Sequence, residues 1–309
     1  MTIFLRIATR GSPLALYQAN ETKDRLAAVY AALSSPDAIE INTYRTTGDA
    51  QQVGSLSDIG GKGLFTKEIE DALLDGKADI AVHSMKDVPT ILPDGLIMAA
   101  YLPREDPRDA LIAHTATGLA DLPQGATVGT ASLRRKAILL SIRPDIRIEV
   151  LRGNVETRLN KIEAGEMDAT FLATAGLKRL GLFDRARCAL STDDMLPAVC
   201  QGAIGIECRE DDTKTRDLLA AIHHTETGIC VEAERAFLGA LDGSCRTPIA
   251  ALATIKGDIV SMRGLIIRPD GSETLATQQD GNLANAANMG RLMGEDLRDR
   301  AGPGFFDEE

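Results

Sequence analysis

Aromatic residues are scarce in this chain: 4% of 309 residues, with no tryptophan. Proteins that hold single-stranded nucleic acid stack bases on aromatic rings set among cations, and no such interleaving occurs here. Positive charge is also in deficit. The 34 Lys and Arg against 45 Asp and Glu leave a net charge of -11 and a pI near 5.0, which argues against a general binder of nucleic acid or of anionic membranes. No apolar run reaches the roughly 18 residues of a membrane span. The start, M-T-I-F-L-R-I-A-T-R, has no basic segment followed by a long apolar one, so no secretory signal is visible and the expected location is cytoplasmic. The five cysteines (Cys188, Cys200, Cys208, Cys230 and Cys245) are odd in number and lack C-x-x-C spacing. That is the pattern of reduced thiols rather than of a disulfide framework. Paired Cys/His ligands are missing, so no metal site is expected. The one histidine cluster, His223-His224, reads as a pair of surface neighbours.

What remains is an ordinary globular composition, 44% hydrophobic and 26% charged, in a chain long enough for two or three domains. A strand over residues 3–8 leads through Thr9-Arg10-Gly11-Ser12-Pro13 into a helix, with Ser12 as cap and Pro13 at the first helical position. Gly60-Gly61-Lys62-Gly63 closes a polar loop in which glycines let a lysine approach a ligand, although the spacing of a phosphate loop is absent. Ile80 to Val82 reads as a buried strand that breaks into His83, Ser84, Lys86 and Asp87, with Pro89 preventing regular continuation. Ligands of open α/β sheets bind beyond the carboxyl ends of strands, which singles out Lys86 and Asp87 even though a solvated turn explains them locally.

The plan then repeats. Thr127-Val128-Gly129, a short turn and Ser132 before a helix echo the start of the chain. Helix, Gly165, Asp168 and strand echo helix, Gly76, Asp79 and strand. Between the two halves, residues 103–109 carry two prolines and five charges, the composition of a crossing between lobes. Met195 to Cys208 is a glycine-rich turn into a buried strand that returns to the first lobe. Helix 231–241, strands 249–255, 259–267 and about 273–279, and a helix over 284–300 read as a separate α+β domain.

Charge is uneven. Between Thr130 and Arg187, twelve basic residues face seven acidic ones, about +5 within an acidic chain. Ser132 caps a helix whose first turn carries Arg134 and Arg135, cations that oppose the helix dipole unless an anion meets them there. Arg152-Gly153-Asn154 ends a strand, and Arg158 lies one turn into the next helix. With Arg10 in the matching place of the first half, these residues point to a polyanionic ligand; the plain alternative is surface arginines paired with local acids. Cys245, in Gly243-Ser244-Cys245-Arg246, sits in a locally electropositive loop that tends to lower a thiol pKa. Its neighbours alone leave its reactivity open.

The segments L-R-I-A-T-R-G-S-P-L-A, G-G-K-G-L-F-T-K-E, D-I-A-V-H-S-M-K-D-V-P, R-E-D-P-R-D, L-R-R-K, L-R-G-N-V-E-T-R-L, G-L-K-R-L-G and Q-G-A-I-G-I-E-C resemble, in order and over essentially the whole chain, those of the porphobilinogen deaminase (hydroxymethylbilane synthase) family. The resemblance implies an α/β fold of two periplasmic-binding-protein-like lobes around a cleft plus a smaller C-terminal α+β domain. The expected division is 1–102 with 201–220, then 103–200, then 221–309. It implies a transferase that condenses four porphobilinogens head to tail on a dipyrromethane cofactor, held by a thioether to Cys245, releasing ammonia and then the linear tetrapyrrole. Asp87 matches the catalytic aspartate, whose carboxylate would hydrogen-bond pyrrole N–H groups and stabilise cationic centres. Arg10, Ser12, Ser84, Lys86, Thr130, Ser132, Arg134, Arg135, Arg152, Gly153, Asn154, Arg158, Arg179 and Gln201 fall around cofactor and substrate, with Lys62 in a loop over the cleft. A monomer is implied. The chain departs from the pattern in G-S-C-R-T-P, where G-G-C-Q-V-P is common, and in Ala131, where serine is expected. Two rival readings remain: a non-catalytic two-lobed anion-binding protein, and a cysteine-nucleophile transferase acting on another carboxylated substrate.

Overall fold

A computed structural model describes residues 5–50, 63–242 and 247–306. Along the first part run β1 (Leu5–Arg10), α1 (Pro13–Val29), β2 (Ile39–Tyr44), α2 (Thr47–Ala50), α3 (Lys67–Leu74), β3 (Ile80–Ser84) and β4 (Leu96–Tyr101). There follow β5 (Asp109–Ala113), β6 (Thr127–Gly129), α4 (Leu133–Ile142), β7 (Arg147–Glu149), α5 (Val155–Glu163), β8 (Ala169–Ala173), α6 (Thr174–Arg179) and β9 (Cys188–Ala189). The chain continues with β10 (Ile204–Arg209), α7 (Thr213–Ala220), α8 (Thr225–Ala240), β11 (Ile249–Lys256), β12 (Ile259–Ile267), β13 (Thr274–Asn282) and α9 (Ala286–Ala301).

Among the described residues these strands form three sheets, ordered β2-β1-β3-β10-β4, β7-β6-β8-β5-β9 and β11-β12-β13. The chain divides into two compact units. Of the described residues, one holds 5–50, 63–105 and Ala203–Gly228; the other holds Asp106–Gly202 and those from Ile229 onward. The α/β class read from the sequence is what the structure contains. The echo between the halves is topological as well. In each five-stranded sheet a strand lies parallel between two others, and the next strand runs antiparallel: β1 between β2 and β3 then β10, β6 between β7 and β8 then β5.

Local sequence explains the echo. Ser12 and Ser132 cap their helices by accepting from Ala15 N–H and Arg135 N–H, satisfying donors that a helix start leaves open. Gly76 and Gly165 follow α3 and α5 at φ of 67° and 73°, a left-handed conformation that suits glycine and closes a helix end. Three residues on, Asp79 and Asp168 each lock onto the neighbouring strand. Asp79 Oδ2 accepts from Arg6 N–H at 2.8 Å and Asp168 Oδ2 from Thr127 N–H at 2.7 Å, while Asp79 N–H and Asp168 N–H each donate back to the same residue's carbonyl. Apolar residues then fill both faces of each sheet. Ile7, Ile80, Leu26 and Ile204 pack on the α1 side of the first sheet, with Ile69 and Leu73 of α3 on the other. Burying each such side chain fully contributes about 1.5–3 kcal/mol.

Two readings change. The helix expected at 231–241 begins at Thr225, because His224 Nδ1 accepts the Thr227 N–H at 3.2 Å and so serves as a cap. His223 is likewise tied down, its Nδ1 accepting from Tyr101 N–H at 3.2 Å. The histidine pair therefore has work at a helix start rather than being mere surface neighbours.

Candidate active site

The sequence places Arg10, Ser12, Ser84, Lys86 and Asp87 at strand ends, and the first unit brings them around one cavity of about 80 Å³. β1 delivers Arg10 at its last residue, and Ser12 starts α1. β3 delivers Ser84, whose hydroxyl is held 2.8 Å from Gln18 Nε2 on α1. Beyond β3 the chain makes a single 3-10 turn, Met85–Asp87. Met85 anchors this turn: its side chain is buried, and its N–H donates to Ala203 O at 3.0 Å. Lys86 and Asp87 are thereby left at the cavity wall. Gly205, opposite on β10, makes the anchoring possible, because a Cβ there would lie 2.0 Å from Met85 Sδ.

Asp87 Oδ2 stands 4.0 Å from Arg10 Nη1, and the side chains are 33% and 24% exposed. At that distance and exposure the pair is a weak one, so the carboxylate is not consumed by it. Arg10 is steadied from another side, its guanidinium carbon 4.4 Å from the Phe65 ring centre. Behind the wall lies a buried acid cluster that sequence reading missed. His83 Nε2 is 2.9 Å from Glu207 Oε2, and Glu70 lies close enough to interact with both. Burial, reinforced by the Glu207 charge, pushes the Glu70 carboxyl up.

In the second unit the basic residues sort into two kinds. Arg143 with Asp145, Lys161 with Glu166 and Arg185 with Glu163 are the local surface pairs of the plain reading. Arg134 and Arg135 are different. Both are buried, and both meet Asp109, the fully buried first residue of β5: Arg134 Nη2 at 2.7 Å from Oδ2 and Arg135 Nη2 at 2.7 Å from Oδ1. The anion that relieves the conflict between these cations and the helix dipole at the start of α4 is thus supplied from within the chain. Gln201 Nε2 donates to the same Oδ1 at 2.9 Å and to Pro107 O at 2.7 Å. Burial alone would raise the Asp109 carboxyl, but the two guanidiniums outweigh it and hold it well below the usual carboxylate range. Asp109 was missed because nothing local marks it: it reads as the last charge of a charged crossing.

Thr130 Oγ1 accepts from Ser132 N–H at 3.1 Å, shaping the turn before α4. Asn154 caps α5 by accepting from Thr157 N–H at 2.8 Å, and Gly153 precedes it at φ 116°. Arg158 Nε donates to Gly153 O and Arg179 Nη2 to Gly202 O, both at 2.9 Å. Arg152 Nε and Nη2, with Arg134 Nε and Arg135 Nε, are buried and have no partner. Unpaired buried donors are costly, and carboxylate oxygens are the acceptors such a set suits. Lys62 and Cys245 lie outside the described residues.

Comparison with known proteins gives the family. Residues 5–217 match the family model "Porphobilinogen deaminase, dipyromethane cofactor binding domain", and residues 228–299 match "Porphobilinogen deaminase, C-terminal domain". The chain belongs to the porphobilinogen deaminase family. It is 56% identical over 304 residues to the porphobilinogen deaminase of Nitrobacter hamburgensis, covering 98% of this chain and 96% of that one. The Paracoccus denitrificans porphobilinogen deaminase is 55% identical, with the same coverages. The chloroplastic enzyme of Oryza sativa is 53% identical, covering 98% and 86%. Among solved structures, a putative methionine-binding lipoprotein from Bacillus subtilis is similar at a TM-score of 0.41 and 14% identity, covering 72% of this chain and 91% of its own. As a porphobilinogen deaminase family member the chain is an enzyme, and a dipyrromethane group fits the carboxylate-seeking donors just described.

Proposed function

We propose that the chain condenses four porphobilinogen molecules head to tail on a dipyrromethane cofactor, releasing ammonia at each addition and hydroxymethylbilane at the end. The observation that carries this reading is a single carboxylate, Asp87, in a cavity whose other wholly charged side chains, Arg10 and Lys86, are cationic. When bound, the cofactor supplies the electron-rich pyrrole that the first substrate extends. Asp87 accepts hydrogen bonds from pyrrole N–H groups of the substrate and stabilises the positive charge left as ammonia departs. It also takes up the proton released when the new carbon–carbon bond is complete. Arg10, Lys86, Arg134, Arg135, Arg152, Arg158 and Arg179 take the acetate and propionate groups; Ser12, Ser84, Thr130, Ser132, Asn154 and Gln201 orient them. Gly153 lets the backbone approach, and Lys62 adds a further cationic contact for the ligand.

Cys245 holds the cofactor through a thioether, and the working protein is a cytoplasmic monomer of three domains with the boundaries read from the sequence. Among the described residues no helix is long and apolar enough to cross a membrane. Intact mass tests the attachment. Chain made in cells that produce porphobilinogen should carry two extra pyrrole units, lost in Cys245→Ser; bare mass in the wild type sinks the reading. For Asp87→Asn, turnover of porphobilinogen should fall about 100- to 1,000-fold at unchanged melting temperature. Turnover near wild type removes Asp87 from the mechanism.

A further inference from the structure

At three other places among the described residues, aspartate and arginine meet as forks. Asp79 with Arg6, Asp106 with Arg108, and Asp145 with Arg143 each take Nε and Nη2 of one guanidinium on the two carboxylate oxygens. That bidentate arrangement is the strongest an isolated pair can make. Asp109 departs from it. It takes one Nη2 from each of two guanidiniums and leaves both Nε donors unspent, although both are buried. The Nη1 donors are spent elsewhere, Arg134 on Leu196 O and Arg135 on Phe171 O, each at 2.8 Å. Gln201 fills a second acceptor site on Oδ1 beside Arg135 Nη2, so Arg134 cannot swing into a fork without displacing a bond there.

An ion pair that served only to neutralise charge would use its best donors internally. This one fixes two guanidiniums by their outer nitrogens, keeps one donor of each in reserve, and leaves the group of three with one positive charge. We propose that Asp109 is a positioning residue for carboxylate recognition: by holding Arg134 and Arg135 end-on, it presents their Nε–H donors to one carboxylate of the cofactor or the growing chain. The inference rests on the function proposed above. It extends that reading to a residue that touches no ligand itself, and it gives this pair a capacity of one carboxylate.

Asp109→Glu and Asp109→Asn, with Asp145→Asn as a control ion-pair loss in the same unit, separate positioning from charge balance. Glutamate keeps the charge and both acceptors but displaces the guanidiniums by the length of one methylene. Three quantities are read: the fraction of chain carrying the two pyrrole units by intact mass, the KM for porphobilinogen, and folding by circular dichroism. We expect folded Asp109→Glu to load poorly and to show KM raised about tenfold with a smaller change in kcat. Asp109→Asn should show the same defect, more strongly or as failure to fold, and Asp145→Asn should match wild type. Asp109→Glu with wild-type loading and KM overturns the inference, as does an Asp109→Glu chain that does not fold, since a prop for the fold alone explains that. Bare wild-type mass without turnover defeats the function reading and this inference with it; a loaded, active wild type beside an unaffected Asp109→Glu defeats this inference alone.

Discussion

The two five-stranded sheets share a strand order and differ in what their antiparallel strands bury. β10 buries Glu207 against the His83 imidazole, with Glu70 nearby. β5 buries Asp109 against two guanidiniums and an amide. All three acids are withdrawn from water, and for Glu70 and Asp109 burial pushes the carboxyl upward. The partners then decide the outcome. Glu70 keeps a raised pKa and one orphaned oxygen, whereas Asp109 is driven far down with both oxygens engaged. Depth says nothing about the charge a group carries; the donors that the fold brings to it do. A second difference follows the third strand of each sheet. Met85 N–H and Thr174 N–H make equivalent bonds to the antiparallel strand side, to Ala203 O and Arg108 O. After Thr174 the chain continues as α6, while after Met85 it stops at Asp87, two residues before Pro89. The stopped turn exposes a carboxylate where the continued one builds a helix.

The strongest way to break the contrast is Asp109→Ala, which strands two guanidiniums in the interior. We expect a loss of about 3–5 kcal/mol in urea unfolding; a loss under 1 kcal/mol would mean that water reaches the pair. In the parent chain the Asp109 contribution has the sign of a depressed carboxyl. It is fully present above the ordinary carboxylate pKa of about 3.9 and is lost only as pH falls through its much lower folded value.

The repeated strand locks come next. Asp79→Ala removes a carboxylate that also grips the Arg6 side chain and lies 3.8 Å from Arg209, while Asp168→Ala loses the bond to Thr127 N–H. We expect about 1–2 kcal/mol for the first and about half that for the second. Equal costs would show that only the shared backbone bond counts.

Glu70→Gln should have the smallest effect, and of opposite sign. A carboxyl whose folded pKa is raised loses stabilising effect as pH climbs from its unfolded value through its folded one. The glutamine chain should therefore match wild type near pH 4 and become the more stable of the two as pH rises to 8. A constant offset at all pH values would detach Glu70 from the cluster.

Much of this was legible in the chain itself. Ser12, Ser132, Gly76 and Gly165 announce helix ends by local chemistry, and the alternation of strands with capped helices gives the α/β class. The stretch from Ile80 to Pro89 contains its own reasons for a strand, a stop and an exposed Asp87. Pairings across long separations were not legible. Asp109 meets Arg134 and Arg135 from 25 and 26 residues away, and His83 meets Glu207 from 124. Nothing in a strand's own residues specifies which neighbour will face it. The sequence by itself determined where cations and turns would lie, because helix caps and chain stops act over a few residues. Only the tertiary structure decided which charges are consumed and which stay available, because that depends on sheet register and on the water excluded when the sheets pack.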